Sequence, residues 1–197
     1  MLLPWSHAHT HARLARRAAA GDVAALGALY RALHPAVHAY VRRRVAAPAD
    51  AEDLVARVFH RLLEHLSRFD PARAPVRGWV LTIARNLVID HFRTRRDHAP
   101  FDEHQGDEIA VIEPLAWLSD APDERTAALR EHVRELPATT REMLTLHFTD
   151  DLHYREIAAL LGFTEAAVKQ RMARALRELR ARLSTVPSAK GAAAHAI

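Results

Sequence analysis

Cysteine is absent from the 197 residues, which excludes a disulfide framework, a cysteine nucleophile and a thiolate zinc site. Glycine is scarce at six, tyrosine stands at three, and runs of β-branched residues are few, so the chain leans towards helix rather than strand. Long apolar runs are missing too. None approaches the roughly 20 residues that span a bilayer, and His7, His9, His11 and Arg13 interrupt the stretch where a signal peptide needs its apolar core. A soluble, cytoplasmic, all-α chain without membrane insertion is expected. Apolar residues reach 49%, enough for a core, which argues against wholesale disorder.

Net charge is only +4, but its distribution is uneven. Residues 1–96 carry 16 Lys and Arg against 7 Asp and Glu, whereas residues 97–124 carry nine acids and no base. Residues 125–197 return to 12 bases against 8 acids. Two basic blocks flanking an acidic bridge suit two modules facing a polyanion, and equally suit two solvated Arg-rich helical domains with a linker between them.

The periodicity divides the chain further. Residues 1–19 read as an N-terminal lead, of which the first dozen residues, with the His-x-His-x-His run, look irregular. Gly21-Asp22 opens a helical pattern through Leu26, Leu29, Leu33, Val37, Tyr40 and Val41, with Pro35 marking a kink or the start of a second helix. After the turn at Ala47–Asp50, Leu54, Val58, Leu62 and Leu66 mark one helix face. Ser67 to Pro75 reads as a loop from its two prolines and its aspartate. A helix from about Val76 to Arg96 follows, apolar at Trp79, Val80, Ile83, Leu87 and Val88, polar at Asn86, Asp90, Arg93 and Arg96. Residues 20–96 thus form the first block. Residues 97–124, with Pro100, Gly106, Pro114 and Pro122, form a linker that lets the two blocks fold independently and move relative to each other. In the second block, 125–183, Leu136-Pro137 breaks a helix, and Thr139-Thr140-Arg141-Glu142 has the spacing of a capping box. The Ala-rich tail 184–197 is expected to be disordered.

The most specific local signal spans Tyr154 to Arg174. Ile157, Ala158, Leu161, Gly162, Phe163 and Val168 stand where a helix-turn-helix needs them: Ala158 is small at the crossing, Gly162 allows a turn conformation costly for other residues, and Thr164 can cap the second helix. If that helix packs through Val168, Met172, Ala175, Leu176 and Leu179, then Lys169, Gln170, Ala173 and Arg174 face outward. A positive face with a small residue at its middle suits the DNA major groove. By itself the pattern supports DNA binding, and a plain helical hairpin with a solvated face remains the alternative.

Two blocks together resemble the extracytoplasmic-function sigma factors of bacterial RNA polymerase. The first contains Asp50-Ala51-Glu52-Asp53-Leu54-Val55, Val58-Phe59 and Arg77-Gly78-Trp79-Val80-Leu81-Thr82-Ile83-Ala84-Arg85-Asn86-Leu87-Val88-Ile89-Asp90. The second runs from Leu136-Pro137 through Glu156-Ile157-Ala158, Leu161-Gly162 and Val168-Lys169 to Leu183. The resemblance implies a promoter-melting domain over 20–96 and a helix-turn-helix domain over 125–183. Asp50, Glu52, Asp53, Leu54 and Val58 would meet the clamp helices of core RNA polymerase. Arg68, Phe69, Asp70 and Arg73 would line a loop capturing a flipped base of the −10 element, with Asn86, Asp90 and Arg93 flanking the melted strand. Thr164, Lys169, Gln170, Ala173 and Arg174 would engage the −35 element, and the acidic linker would thread the basic RNA-exit path. Core RNA polymerase and promoter DNA are the implied partners, with a cognate anti-sigma factor as a third. No catalytic residue, cofactor or metal is expected, because the polymerase performs the chemistry.

The chain departs from the family pattern at three places. Ala56-Arg57 replaces a common Gln-Glu, Asp151-Leu152-His153-Tyr154 replaces Gly-Leu-Ser/Thr-Tyr and so lacks a standard cap at His153, and Ala167 stands where Thr is common. A stand-alone helix-turn-helix regulator is the first rival, but it leaves the Asp50 and Trp79 blocks unused. A metal-dependent hydrolase is the second, prompted by fourteen histidines. His34 and His38 lie one helical turn apart, yet no H-E-x-x-H pattern or third ligand accompanies them.

Overall fold

The computed structural model describes residues 5–71, 73–96 and 124–184. Among these, the regular structure is helical and no strand occurs. The helices are α1 (Trp5–Ala19), α2 (Val23–Arg42), α3 (Pro48–His65), α4 (Val76–Arg96), α5 (Glu124–Arg134), α6 (Ala138–Phe148), α7 (Tyr154–Leu161) and α8 (Glu165–Leu183), with a short 3-10 turn at Leu66–Arg68. The acidic bridge and the tail from residue 185 lie outside the described residues.

The lead expected to be irregular contains a helix. Its polar, Ala- and Arg-rich sequence hid a narrow stripe: Ala15 is buried, and Ala12, Leu14 and Ala18 pack against the core, where α1 lies along α2, α4 and the 3-10 turn. The junction is clamped chemically. Arg17 donates from Nη2 and Nε to Asp22 Oδ2 at 2.6 and 2.9 Å, while Asp22 Oδ1 accepts the Ala25 N–H at 2.9 Å and caps α2. Gly21 between them has φ +91°, a conformation open to glycine at little cost.

α2 runs unbroken through Pro35. The proline removes one helical donor, but it sits on the exposed side of the helix, where water can satisfy the freed carbonyl. Its apolar stripe at Leu29, Leu33, Val37 and Val41 meets Leu54, Val58 and Leu62 of α3 and Val80, Leu81, Ala84 and Val88 of α4 in one buried cluster. In the second block, α6 starts after Pro137 rather than from a capping box at Thr139; both threonines are already inside the helix. α7 ends on Gly162 at φ +73° and ψ +29°, the left-handed C-terminal cap that the sequence required. Thr164 Oγ1 accepts the Ala167 N–H at 3.2 Å to start α8.

The two blocks are in contact in this structure. α4 packs on α7, and the buried apolar cluster is continuous from Ala15 to Leu179. Residues more than seventy positions apart make this contact, and no local pattern encodes such a meeting.

Candidate nucleic-acid interface

The outer face of α8 is formed by what its inner face buries. Val168, Met172, Ala175 and Leu179 are buried, so the 100° helical step turns Lys169, Gln170, Ala173 and Arg174 to solvent, and all four are exposed. Lys169 Nζ lies 2.6 Å from Glu165. This is an exposed i, i+4 pair of roughly 0.3–0.5 kcal/mol, weak enough for a phosphate to displace. Arg171, which periodicity did not single out, lies with its guanidinium 4.2 Å from the centre of the Phe163 ring. That cation–π contact pins the turn between α7 and α8. Thr164 is exposed; its oxygen accepts the cap bond, leaving its O–H free to donate.

α4 presents Asn86, Asp90 and Arg93 as exposed residues, with Asp90 3.1 Å from Arg93. In the preceding loop Arg68, Asp70 and Arg73 are exposed and Phe69 is half-buried. Phe69 stacks on Trp79, ring centres 4.6 Å apart at 29°. Trp79 also packs against the core, so the pair forms a fixed aromatic step at the edge of an arginine-bearing loop. Asp70 and Arg73 lie 3.5 Å apart as an exposed pair.

The five residues expected to meet the polymerase clamp separate by burial. Glu52 and Asp53 are exposed, with side chains 63% and 68% accessible. Asp50 is half-buried, 3.8 Å from His91 of α4. Leu54 and Val58 are 1% and 0% exposed and belong to the core; the i, i+4 spacing that marked them as a face marked the inward one. Arg57, which stands at a departure from the family pattern, lies 3.8 Å from Asp53, and Glu52 lies 3.0 Å from His38. Arg57 therefore partly offsets the charge of this acidic surface from within the same helix.

A further polar cluster sits where the blocks meet, and the sequence reading missed it. Asp150, in the turn between α6 and α7, has a side chain 3% exposed. Arg43 donates to its Oδ1, and Arg44 Nη2 reaches its Oδ2 at 3.5 Å. Arg44 also donates to the Tyr40 carbonyl at 3.0 Å and lies 3.6 Å from the centre of that ring. Burial pushes both guanidinium pKa values down, and for Arg43 the charge of Arg44 adds to the effect; arginine nevertheless stays charged at any ordinary pH. Arg77 of α4 donates to the carbonyl oxygens of Asp150 and Asp151 at 2.7 and 2.8 Å. It also lies 3.7 Å from Glu156, whose carboxylate accepts the His153 N–H at 2.9 Å. That bond is the Glu156 half of a capping box at the start of α7. Arg85 Nε donates to Glu142 at 3.2 Å. The partners are separated by 57 to 107 positions, so nothing short of the fold itself pairs them. Among the described residues no group of three or more His, Asp or Glu is placed to hold a metal, and no helix is long and apolar enough to cross a membrane.

Two family models match this chain, one in each block. The Sigma-70 region 2 family model matches residues 29–98, and the Sigma-70 region 4 model matches residues 126–179. The ECF RNA polymerase sigma factor BldN of Streptomyces coelicolor is 35% identical over 166 residues, covering 84% of this chain; the chain spans 63% of that protein's length. The ECF RNA polymerase sigma factor RpoE of Cereibacter sphaeroides is 31% identical over 163 residues, 83% of this chain and 88% of the relative. Among solved structures, CnrH in complex with the cytosolic domain of CnrY superposes with a TM-score of 0.56 at 25% identity, covering 90% of this chain and 99% of CnrH.

Proposed function

The chain belongs to the extracytoplasmic-function RNA polymerase sigma factors, and from that premise we propose how its surfaces divide the work of promoter-directed transcription initiation. The observation that carries the reading is the recognition helix α8, capped at Thr164, anchored by Val168 and Met172, and outwardly lined by Lys169, Gln170, Ala173 and Arg174. It stands in the same chain as a second, independent surface on α4 and its preceding loop.

On the −35 side, Lys169 exchanges Glu165 for a phosphate, Gln170 reads a base edge, Ala173 allows close approach, and Arg174 reaches a guanine or a phosphate. The N-terminus of α8 and the Thr164 hydroxyl hold a neighbouring phosphate. On the −10 side, the Phe69–Trp79 step supports an unstacked base, Arg68 and Arg73 attract the separated strand, and Asn86, Asp90 and Arg93 flank it. Asp70 shapes the loop through Arg73. Glu52 and Asp53, with Asp50 beside them, meet a basic surface of core RNA polymerase, while Leu54 and Val58 hold that helix from beneath. The acidic segment 97–124 lies along the polymerase's basic RNA-exit path.

The chain itself performs no catalysis on this reading and works in the cytoplasm, without metal or cofactor. A cognate anti-sigma factor regulates the chain on this reading; CnrH, to which the chain is similar, forms a complex with the cytosolic domain of CnrY. Run-off transcription with core RNA polymerase over a promoter library tests the function. Transcripts should depend on both a −35 and a −10 element. Tight DNA binding by the chain alone, with no affinity for core polymerase, would establish the stand-alone regulator instead.

A further inference from the structure

None of the fourteen histidines has a part in either promoter surface, yet three of them stand against the acidic residues of α3. His38 of α2 places Nε2 3.0 Å from Glu52 Oε1. His91 of α4 places Nε2 3.8 Å from Asp50 Oδ2. His60, on α3 itself, places Nδ1 3.6 Å from Glu64 Oε1. The fourth carboxylate of α3, Asp53, has Arg57 beside it. Imidazoles from three different helices therefore converge on the one acidic face, and the 38% and 75% accessible side chains of His38 and His60 exchange protons with solvent directly.

The other charged and titratable groups around these pairs are few. Arg61 lies 3.6 Å from Glu64, and His34 stacks on His38 with ring centres 5.7 Å apart at 19°. Beside His91 on α4, Asp90 and Arg93 pair with each other at 3.1 Å, and His65 is exposed in the last turn of α3. A neutral imidazole donates an N–H to a carboxylate and leaves the carboxylate charge in place, whereas an imidazolium cancels it. With neutral imidazoles, α3 sets four carboxylates against Arg57 and Arg61, an excess of two negative charges. Protonation of His38, His60 and His91 turns this into an excess of one positive charge, and His65 adds to it. The face thus reverses sign over the range of about pH 5 to 8 in which histidine titrates.

We propose that His38, His60 and His91 make the α3 surface a pH-sensitive docking face, which holds core polymerase when the imidazoles are neutral and releases it when they are protonated. The inference rests on the reading of α3 as the helix that meets a basic surface of the polymerase. A basic partner favours the neutral imidazoles, so docking expels protons. Affinity is then complete above the histidine range and is lost as pH falls through it. Each proton excluded from a group with histidine's ordinary value of about 6.5 weakens binding about fourfold between pH 7.5 and pH 6.0. The charges are at the surface, so added salt screens the effect.

The test is a fluorescence-anisotropy titration of the full-length chain with core RNA polymerase at pH 7.5 and pH 6.0, at low salt. Wild type should lose at least about fourfold in affinity at the lower pH, the effect of one excluded proton. The triple variant His38→Gln, His60→Gln, His91→Gln keeps polar side chains that take up no proton, and its loss should be at least about twofold smaller. The ratio of the two losses cancels titration of the polymerase itself. Circular dichroism at both pH values checks the fold. Should His91→Gln disturb it, at a side chain only 15% accessible, the double variant His38→Gln, His60→Gln carries the same comparison. Equal losses in wild type and variant, or a wild-type affinity that does not fall with pH, overturn the pH-sensitive face. Absence of wild-type binding to core polymerase at pH 7.5 overturns instead the promoter-directed function on which the inference rests.

Discussion

Two neighbouring residues on α3 separate a folding role from a binding role. Asp53 is 68% exposed and lies 3.8 Å from Arg57; Leu54 is 1% exposed, within the core shared by α2, α3 and α4. Asp53→Arg forfeits an exposed i, i+4 pair of about 0.3–0.5 kcal/mol and substitutes a like-charge repulsion of similar size. Its stability cost is then below about 1 kcal/mol, and at roughly 2–4 °C per kcal/mol for a chain of this length the Tm falls by less than about 4 °C. Leu54→Ala loses buried methyl groups and leaves a cavity, at about 2–5 kcal/mol, which lowers Tm by about 4–20 °C. Binding should show the reverse order. Charge reversal opposite a basic partner should slow association with core polymerase, most at low salt, whereas folded Leu54→Ala held well below its Tm should bind as wild type does. Thermal circular dichroism and fluorescence-anisotropy titrations at two salt concentrations measure both quantities. Undiminished affinity of Asp53→Arg at low salt would move the interface off this helix. Equal binding loss in folded Leu54→Ala would refute the inference from burial.

On α8, Gln170→Ala should relax preference at one or two −35 positions, at about 1–3 kcal/mol on the preferred base. Lys169→Ala should instead weaken all −35 sequences alike and reduce the salt dependence. A −35 library selected at two salt concentrations distinguishes them, and an unchanged preference and affinity in both would remove α8 as the reader. At the α1–α2 junction, the Ala25 N–H and then Arg17 hold the Asp22 pKa below its ordinary 3.8. The folded state therefore favours the carboxylate, and its stabilisation is complete well above 3.8 and disappears as pH falls through the depressed value. Wild type should exceed Asp22→Asn in Tm at pH 7 and lose that advantage at strongly acid pH; a pH-independent difference would dissociate the charge from the cap.

The helical character, the positions of the turns and the exposed face of α8 were legible from residue order, because they depend on interactions a few positions apart. Gly162 and Thr164 bracket the helix-turn-helix through local backbone requirements, and both occupy the places their chemistry demands. The same reading assigned Leu54 and Val58 to the clamp contact, yet both lie in the core, since periodicity identifies a face without saying what covers it. It also took the α1 segment for an irregular lead, because an Ala- and Arg-rich stripe becomes a packing surface only when α2 and α4 lie beneath it. Tertiary structure alone decided the meeting of Arg43 and Arg44 with Asp150, of Arg77 with the turn at Asp150 and Asp151, and of Gly78 with Glu156. These partners are brought together by how whole helices stack, and chain order carries no local record of that.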